Sequence, residues 1–96
     1  MNPAPQNWFC VYLLRSKKNG TIYIGCASNL KKRLKEHKEG KNYSTRKLLP
    51  IELIYIEGYK SKKDAFEREK HLKYHSSALR HLKIRLQNIL SQGGTG

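Results

Sequence analysis

Acidic residues are scarce in this chain. Only 7 Asp and Glu stand against 20 Lys and Arg, a formal charge of +13 in 96 residues. Charge of one sign repels itself, and a polyanionic partner relieves that cost. Nucleic acid is the partner expected first, because cations placed along phosphates release condensed counterions. Long apolar runs are missing too. No stretch approaches the roughly 20 residues a membrane-spanning helix needs, so no membrane partner is expected. Met1–Asn7 lacks the basic-then-apolar order of a secretory leader, and a cytoplasmic location is expected. Cysteine is limited to Cys10 and Cys26. That is too little for a disulfide framework, and neither lies in a C-x-x-C pair of the kind that binds zinc. No glycine-rich phosphate loop is present.

The length allows one domain with a small core. Residues 1–7 read as a flexible lead-in, residues 8–90 as the domain, and residues 91–96 (SQGGTG) as a disordered tail. Trp8–Leu14 (WFCVYLL) and Thr21–Cys26 (TIYIGC) are rich in strand formers, and Asn19-Gly20 between them predicts a hairpin. If the loop has an even number of residues, opposed positions share a face and their numbers sum to an odd value. Tyr12 and Leu14 then share a face with Tyr23 and Gly25, while Cys10 and Cys26 fall on opposite faces.

Ser28-Asn29 predicts a cap for a helix over Leu30–Lys38, with Leu30, Leu34 and His37 as its stripe. Arg33 and His37, four residues apart, are neighbours on it. Glu39–Pro50 reads as a basic loop. Ile51–Tyr59 predicts a third strand in which Leu53, Tyr55 and Glu57 alternate with Glu52, Ile54 and Ile56. Ser61–Asp64 forms a capping box opening a helix whose apolar positions are Ala65, Phe66 and Leu72. Leu79, Leu82, Leu86, Ile89 and Leu90 predict a last helix over Ala78–Leu90. The order β-β-α-β-α-α predicts an α+β fold, a small three-stranded antiparallel sheet flanked by helices.

Glu69 stands on the same helical face as Ala65 and Leu72, and a carboxylate there needs a metal, a cation or a donor. It is either a metal ligand or a partner of Lys73, Arg33 or another nearby lysine. Tyr12 and Tyr23 converge on one strand face, with Gly25 leaving space beside them. They either pack or position water at a phosphate, and a phenol with a pKa near ~10 needs a cation close by to act as a base. Arg33 has the planar fork that binds phosphate, or is one more cation among Lys31, Lys32 and Lys35. His37 either supports a reacting oxygen or caps its helix. His71 and His75 share a helical face but lack a third ligand or an HExxH pattern.

These residues carry a family resemblance. Cys10-Val11-Tyr12 resembles the first motif of the GIY-YIG endonucleases, and Tyr23-Ile24-Gly25 matches the second in full. Asn29–His37 resembles the family's arginine helix, Ser44–Glu57 its central loop and third strand, and Asp64–Lys73 its acidic helix. The resemblance runs from Phe9 to Leu90, and small single-domain bacterial members are the nearest in kind. It implies that Tyr12 and Tyr23 are the two motif tyrosines, one of them the base acting on the attacking water. It implies that Arg33 holds the scissile phosphate, that His37 assists, and that Glu69 binds Mg²⁺ or Mn²⁺. Cys10 stands where the motif has Gly and adds a side chain on the Tyr12 face. Some members also use a downstream Asn, for which Asn88 is the candidate.

The expected activity is metal-dependent hydrolysis of DNA phosphodiester bonds with low sequence specificity, by a monomer. It would nick duplexes or cut single-stranded or branched DNA. Lys32, Lys35, Lys41, Ser44, Thr45, Arg46, Lys47 and Lys73 are the expected backbone contacts. The alternative is a non-catalytic nucleic-acid-binding module on the same fold. Charge alone fits that equally well, but it would not require Tyr12, Tyr23, Arg33 and Glu69 together.

Overall fold

The run Phe9–Ser16 forms β1, the middle strand of a three-stranded antiparallel sheet. A computed structural model describes residues 8–92; the expected lead-in, residues 1–7, and residues 93–96 of the expected tail lie outside the described residues. β1 is flanked by β2 (Ile22–Ala27) and β3 (Ile51–Tyr59), in the order β2-β1-β3. A middle strand covered on both faces must be apolar throughout. Cys10 to Leu14 accordingly have at most 1% of their surface exposed.

The connection between β1 and β2 is the even loop, Lys17–Gly20. Ser16 N–H donates to the Thr21 carbonyl at 2.9 Å, and Gly20 N–H donates back to Ser16 at 2.8 Å. Gly20 has φ +79°, the left-handed conformation that glycine adopts without steric cost. The register follows: Tyr12 opposes Gly25, Leu14 opposes Tyr23, and Val11 opposes Cys26. Cys10 and Cys26 therefore lie on opposite faces, and both are free thiols.

The helices form a layer on each face. α1 (Leu30–Lys38) and the short α2 (Tyr43–Arg46) cover the Tyr12 face, where Leu30 packs with Cys10, Leu14 and Ala27. α3 (Lys62–Tyr74) and α4 (Ser76–Arg85) cover the other face, where Ala65, Leu72 and Leu82 pack against Val11, Leu13 and Ile24. Asn29 caps α1 by accepting from Lys32 N–H, and Ser61 caps α3 by accepting from Asp64 N–H.

Four expectations are corrected. α2 interrupts the expected basic loop, with Asn42 as its cap, so the order is β-β-α-α-β-α-α-α. The expected last helix starts earlier, at Ser76, and breaks at Leu86 into α4 and α5 (Gln87–Ser91), which places Ser91 in a helix rather than a loose tail. Phe66 is 44% exposed, although it reads as an apolar core position. Strict alternation in β3 also fails. Leu13 pairs with Tyr55 and Leu14 with Leu53, so Ile54 is an extra residue in a bulge. Leu53 therefore joins Ile56 on the Tyr12 face, and Ile54 joins Tyr55 on the other.

Two ion pairs tie the layers together. Arg15, 4% exposed, donates from Nε to Glu52 at 2.9 Å and from Nη1 to the Ile89 carbonyl of α5 at 3.0 Å. It thereby pins the C-terminal helix to β1. On the α3 face, Glu57 accepts from the hydroxyls of Tyr55 and Tyr59, at 2.6 Å each, and from Arg68 Nη2 at 2.9 Å.

Burial alone would push the Glu57 carboxyl up. The hydrogen bonds from Arg68, Tyr55 and Tyr59 outweigh that and hold it below its ordinary value. A depressed carboxyl pKa contributes stability that is present above about 4.3, the unfolded value, and is lost as pH falls through the folded one. Burial, and then the bond to Glu57, push Tyr55 and Tyr59 up to about 12. Their contribution is present below about pH 10 and is lost as pH rises through the folded value. Urea midpoints should therefore peak between these limits, and Glu57→Gln should flatten the acid limb. An unchanged acid limb in that variant would rule Glu57 out as its source.

Candidate active site

The site is built around Tyr12. Its side chain has no exposed surface, and its hydroxyl lies 2.9 Å from His37 Nε2. His37, also fully buried, places Nδ1 2.7 Å from the Thr45 hydroxyl of α2. A neutral imidazole has one donor and one acceptor, which matches two hydroxyl partners. Burial, and next the Arg33 charge, lower the His37 pKa, while Glu36 opposes them, so the ring is neutral at pH 7. Tyr23 completes the cluster, with its ring centroid 5.3 Å from that of His37 and edge-on to it. Unlike Tyr12, Tyr23 is only half-buried.

Gly25 makes room for Tyr12. A Cβ there would fall 2.4 Å from both Cζ and the hydroxyl oxygen of Tyr12. The phenol thus lies flat across β2, and only a residue without a side chain fits beneath it.

Arg33 reaches the edge of the sheet from α1. Its side chain is 41% exposed, and its guanidinium donates to the Cys26 carbonyl at 3.4 Å and lies 3.6 Å from Glu36. It lines two small hollows. One, of about 200 Å³, is polar, with Ser28, Asn29, Lys32 and Glu36. The other, of about 220 Å³, lies between β2 and α3 and is partly aromatic. α1 and α3 therefore meet around the C-terminal end of β2, although they cover opposite faces of the sheet.

Burial, and next Tyr23, push the Tyr12 hydroxyl well above the usual phenol range; Arg33 opposes the rise and Glu69 adds to it. The Cys26 thiol is pushed up to about 11, first by burial and then by Glu69. Glu69 thus acts electrostatically on the same residues as Arg33. Its carboxylate also pairs with Lys73 at 3.1 Å, one helical turn on.

Several expected site residues fall elsewhere. Thr45 is fully buried and its hydroxyl is spent on His37, so it supports the site and does not face a DNA backbone. Lys32, Lys35, Lys41, Ser44, Arg46, Lys47 and Lys73 are exposed. Asn88 is exposed on α5, at the Arg15 end of β1, and its carbonyl accepts from the Ser91 hydroxyl and from Gln92 N–H. A hollow of about 510 Å³ is lined by Glu67, Arg68, Lys70, His71, Tyr74 and His75 on the outer side of α3, away from Tyr12. His71 and His75 meet edge to face there, with centroids 4.5 Å apart. Among the described residues no three His, Cys, Asp or Glu cluster as a metal site.

Comparison with known proteins settles the family. The model of the GIY-YIG catalytic domain matches residues 8–83. The chain belongs to the GIY-YIG family. Its domain is that of an endonuclease family, which acts on DNA and generally uses divalent metal ions. Among similar proteins, a UPF0213 protein of Bacillus licheniformis is 36% identical over 63 residues, covering 65% of each chain. Another, of Streptococcus pneumoniae, is 39% identical over 64 residues, covering 66% of this chain and 64% of its own. A UPF0213 protein of Natronomonas pharaonis is 40% identical over 70 residues, covering 71% and 80%. The chain thus spans just under two thirds of the length of the first two. No solved structure matches it. No helix among the described residues is long and apolar enough to cross a membrane.

Proposed function

We propose that this GIY-YIG domain is a metal-dependent endonuclease that hydrolyses DNA phosphodiester bonds with low sequence specificity, as a monomer. The observation that carries the reading is the meeting of Tyr12, Tyr23 and His37 beside Arg33 of the same helix, with Glu69 on the neighbouring α3, on a chain of charge +13. A pure binding surface has no use for a buried tyrosine–histidine–threonine chain behind a guanidinium.

The donor set fits one kind of metal. A single carboxylate without a surrounding His or Cys cluster is a poor zinc site. Mg²⁺ and Mn²⁺ suit it, because Mg²⁺ keeps several waters and binds through one or two carboxylates plus substrate phosphates. Glu69 is the residue that would hold it. The ion supplies neutralisation of the charge that develops on the phosphoryl and leaving oxygens.

The protein's own residues do the rest. Arg33, exposed at the mouth of the site, receives the scissile phosphate with its planar fork. Tyr23, half-buried, is the phenol open to an attacking water and is assigned the hydrogen bond that orients that water. Tyr12 has no exposed surface and its hydroxyl is engaged by His37; it fixes the imidazole against which the Tyr23 ring packs. Thr45 holds the far side of that imidazole. The exposed cations Lys32, Lys35, Lys41, Arg46, Lys47 and Lys73, with Ser44, take the flanking backbone.

The test is a cleavage panel of labelled single-stranded, duplex and branched DNA, with Mg²⁺, with Mn²⁺ and with a chelator. Cleavage is expected with either ion, absent with chelator, and lost in Arg33→Ala. Salt-sensitive binding without cleavage on every substrate and metal would replace this reading with the non-catalytic binding module.

A further inference from the structure

Phe66 is an apolar ring left at the surface of α3. With about 100° between successive helical residues, Ala65 and Leu72 face the core, Glu69 lies about 40° round from Ala65, and Phe66 about 100° round on the same side. Phe66 and Glu69 thus both lean towards the end of β2. There the ring forms one wall of the hollow of about 220 Å³, with Phe9, Cys26 and Ala27 as its apolar lining and Arg33 and Lys62 as its cations. Lys62 Nζ lies 5.4 Å from the Phe66 ring centroid, within cation–π range.

This lining is selective. A phosphate alone gains nothing from Phe9 and Phe66. An apolar side chain gains nothing from Arg33 and Lys62. A planar, partly polar ring joined to a phosphodiester satisfies both halves, and aromatic faces accept any base. Arg33 stands between this hollow and the polar one formed by Ser28, Asn29, Lys32 and Glu36. A phosphate on its fork therefore has an aromatic pocket on one side and a polar one on the other.

We infer that the Phe66 hollow is a nucleobase subsite, and that the domain selects DNA with an unpaired nucleotide beside the bond it engages. A base inside a continuous duplex cannot enter without being unstacked and unpaired, and that cost is smallest where the base is already single-stranded. The inference rests on the nuclease reading for the location of the scissile bond, and it narrows the substrate to single-stranded or branched DNA.

The experiment is binding by fluorescence anisotropy, in chelator so that nothing is cut, of a labelled single-stranded oligonucleotide and of the fully paired duplex of the same length. Phe66→Ala should weaken single-strand binding about tenfold, the loss of one base–aromatic stack, and leave duplex binding nearly unchanged. Phe66→Trp should restore single-strand binding and add an emission change on binding beyond that of wild type, which already has Trp8. Circular dichroism of both variants checks the fold. Equal weakening on both DNAs, or none on either, overturns the subsite. Failure of the wild type to bind either DNA overturns the subsite and the nuclease reading together. Selective loss of single-strand binding in a protein that cuts nothing in the cleavage panel upholds the subsite and removes only the nuclease.

Discussion

Glu69→Gln should abolish metal-dependent cleavage while leaving the protein folded. The substitution keeps the shape of the side chain and removes its charge. Two jobs are open to that charge, and the structure displays one of them, the pair with Lys73 at 3.1 Å. The Lys73 side chain is 36% exposed and the pair is a one-turn helical contact, worth about 0.3–0.5 kcal/mol. For a domain of this size that is a fall in Tm of about 2 °C. Holding a divalent ion at the reacting phosphate is a far larger task. Such stabilisation is worth several kcal/mol, and about 1.4 kcal/mol is tenfold in rate, so the loss should be about 1,000-fold or more. Lys73→Met separates the two jobs. It breaks the same pair and removes one backbone contact, so it should raise the DNA concentration needed and the salt sensitivity, with cleavage still measurable at saturating DNA. If Lys73→Met is as dead as Glu69→Gln, the pair itself is what matters and Glu69 is not the metal ligand. If Glu69→Gln cuts at the wild-type rate, the proposed mechanism falls.

The register that sets Tyr12 over Gly25 was legible because strand faces alternate with period two and the Lys17–Gly20 loop is even. One parity argument placed Tyr12, Leu14, Tyr23 and Gly25 together. The same period misleads in β3. A bulge is an extra residue of backbone, and Ile54 is apolar like its neighbours, so composition carries no mark of the slip. The four-residue α2 was missed for a different reason. A helix that short has no periodicity to read, although Asn42, which accepts from Ser44 and Thr45, was a cap signal in plain sight. Thr45 then turns inward onto His37, a contact set by tertiary packing. Phe66 had a signal that was available. Its angular offset from the Ala65–Leu72 line on the helix already takes it off the core. Glu69 marks the limit of the sequence. Helical spacing puts it on a face, and the contact the structure adds there is its pair with Lys73.

Gly25→Ala should destabilise the domain and disable the site, and the sign of the effect is what makes it informative. Gly25 does not adopt a positive φ; among the described glycines only Gly20 and Gly40 do. On backbone grounds alone, replacing such a glycine by alanine stabilises a protein by about 0.4–1 kcal/mol through the unfolded chain. Here the new Cβ meets the Tyr12 ring at 2.4 Å. The ring cannot swing clear, because it has no exposed surface and its hydroxyl is held by His37. Overpacking of this kind costs about 1–3 kcal/mol. Pushing the phenol off His37 leaves a buried ring nitrogen unpaired, at about 1–3 kcal/mol more. At mid-range the two terms together exceed the entropic gain by about 3 kcal/mol, so Tm should fall by more than about 10 °C, and cleavage should be lost as His37 and the ring of Tyr23 shift. The cause can be isolated in a Tyr12→Leu background, where the atoms that clash are absent. There Gly25→Ala should be neutral or slightly stabilising, a coupling of about 3 kcal/mol between the two positions. An equal penalty in both backgrounds would place the cost in the β2 backbone and end the account of Gly25 as the seat of the Tyr12 phenol.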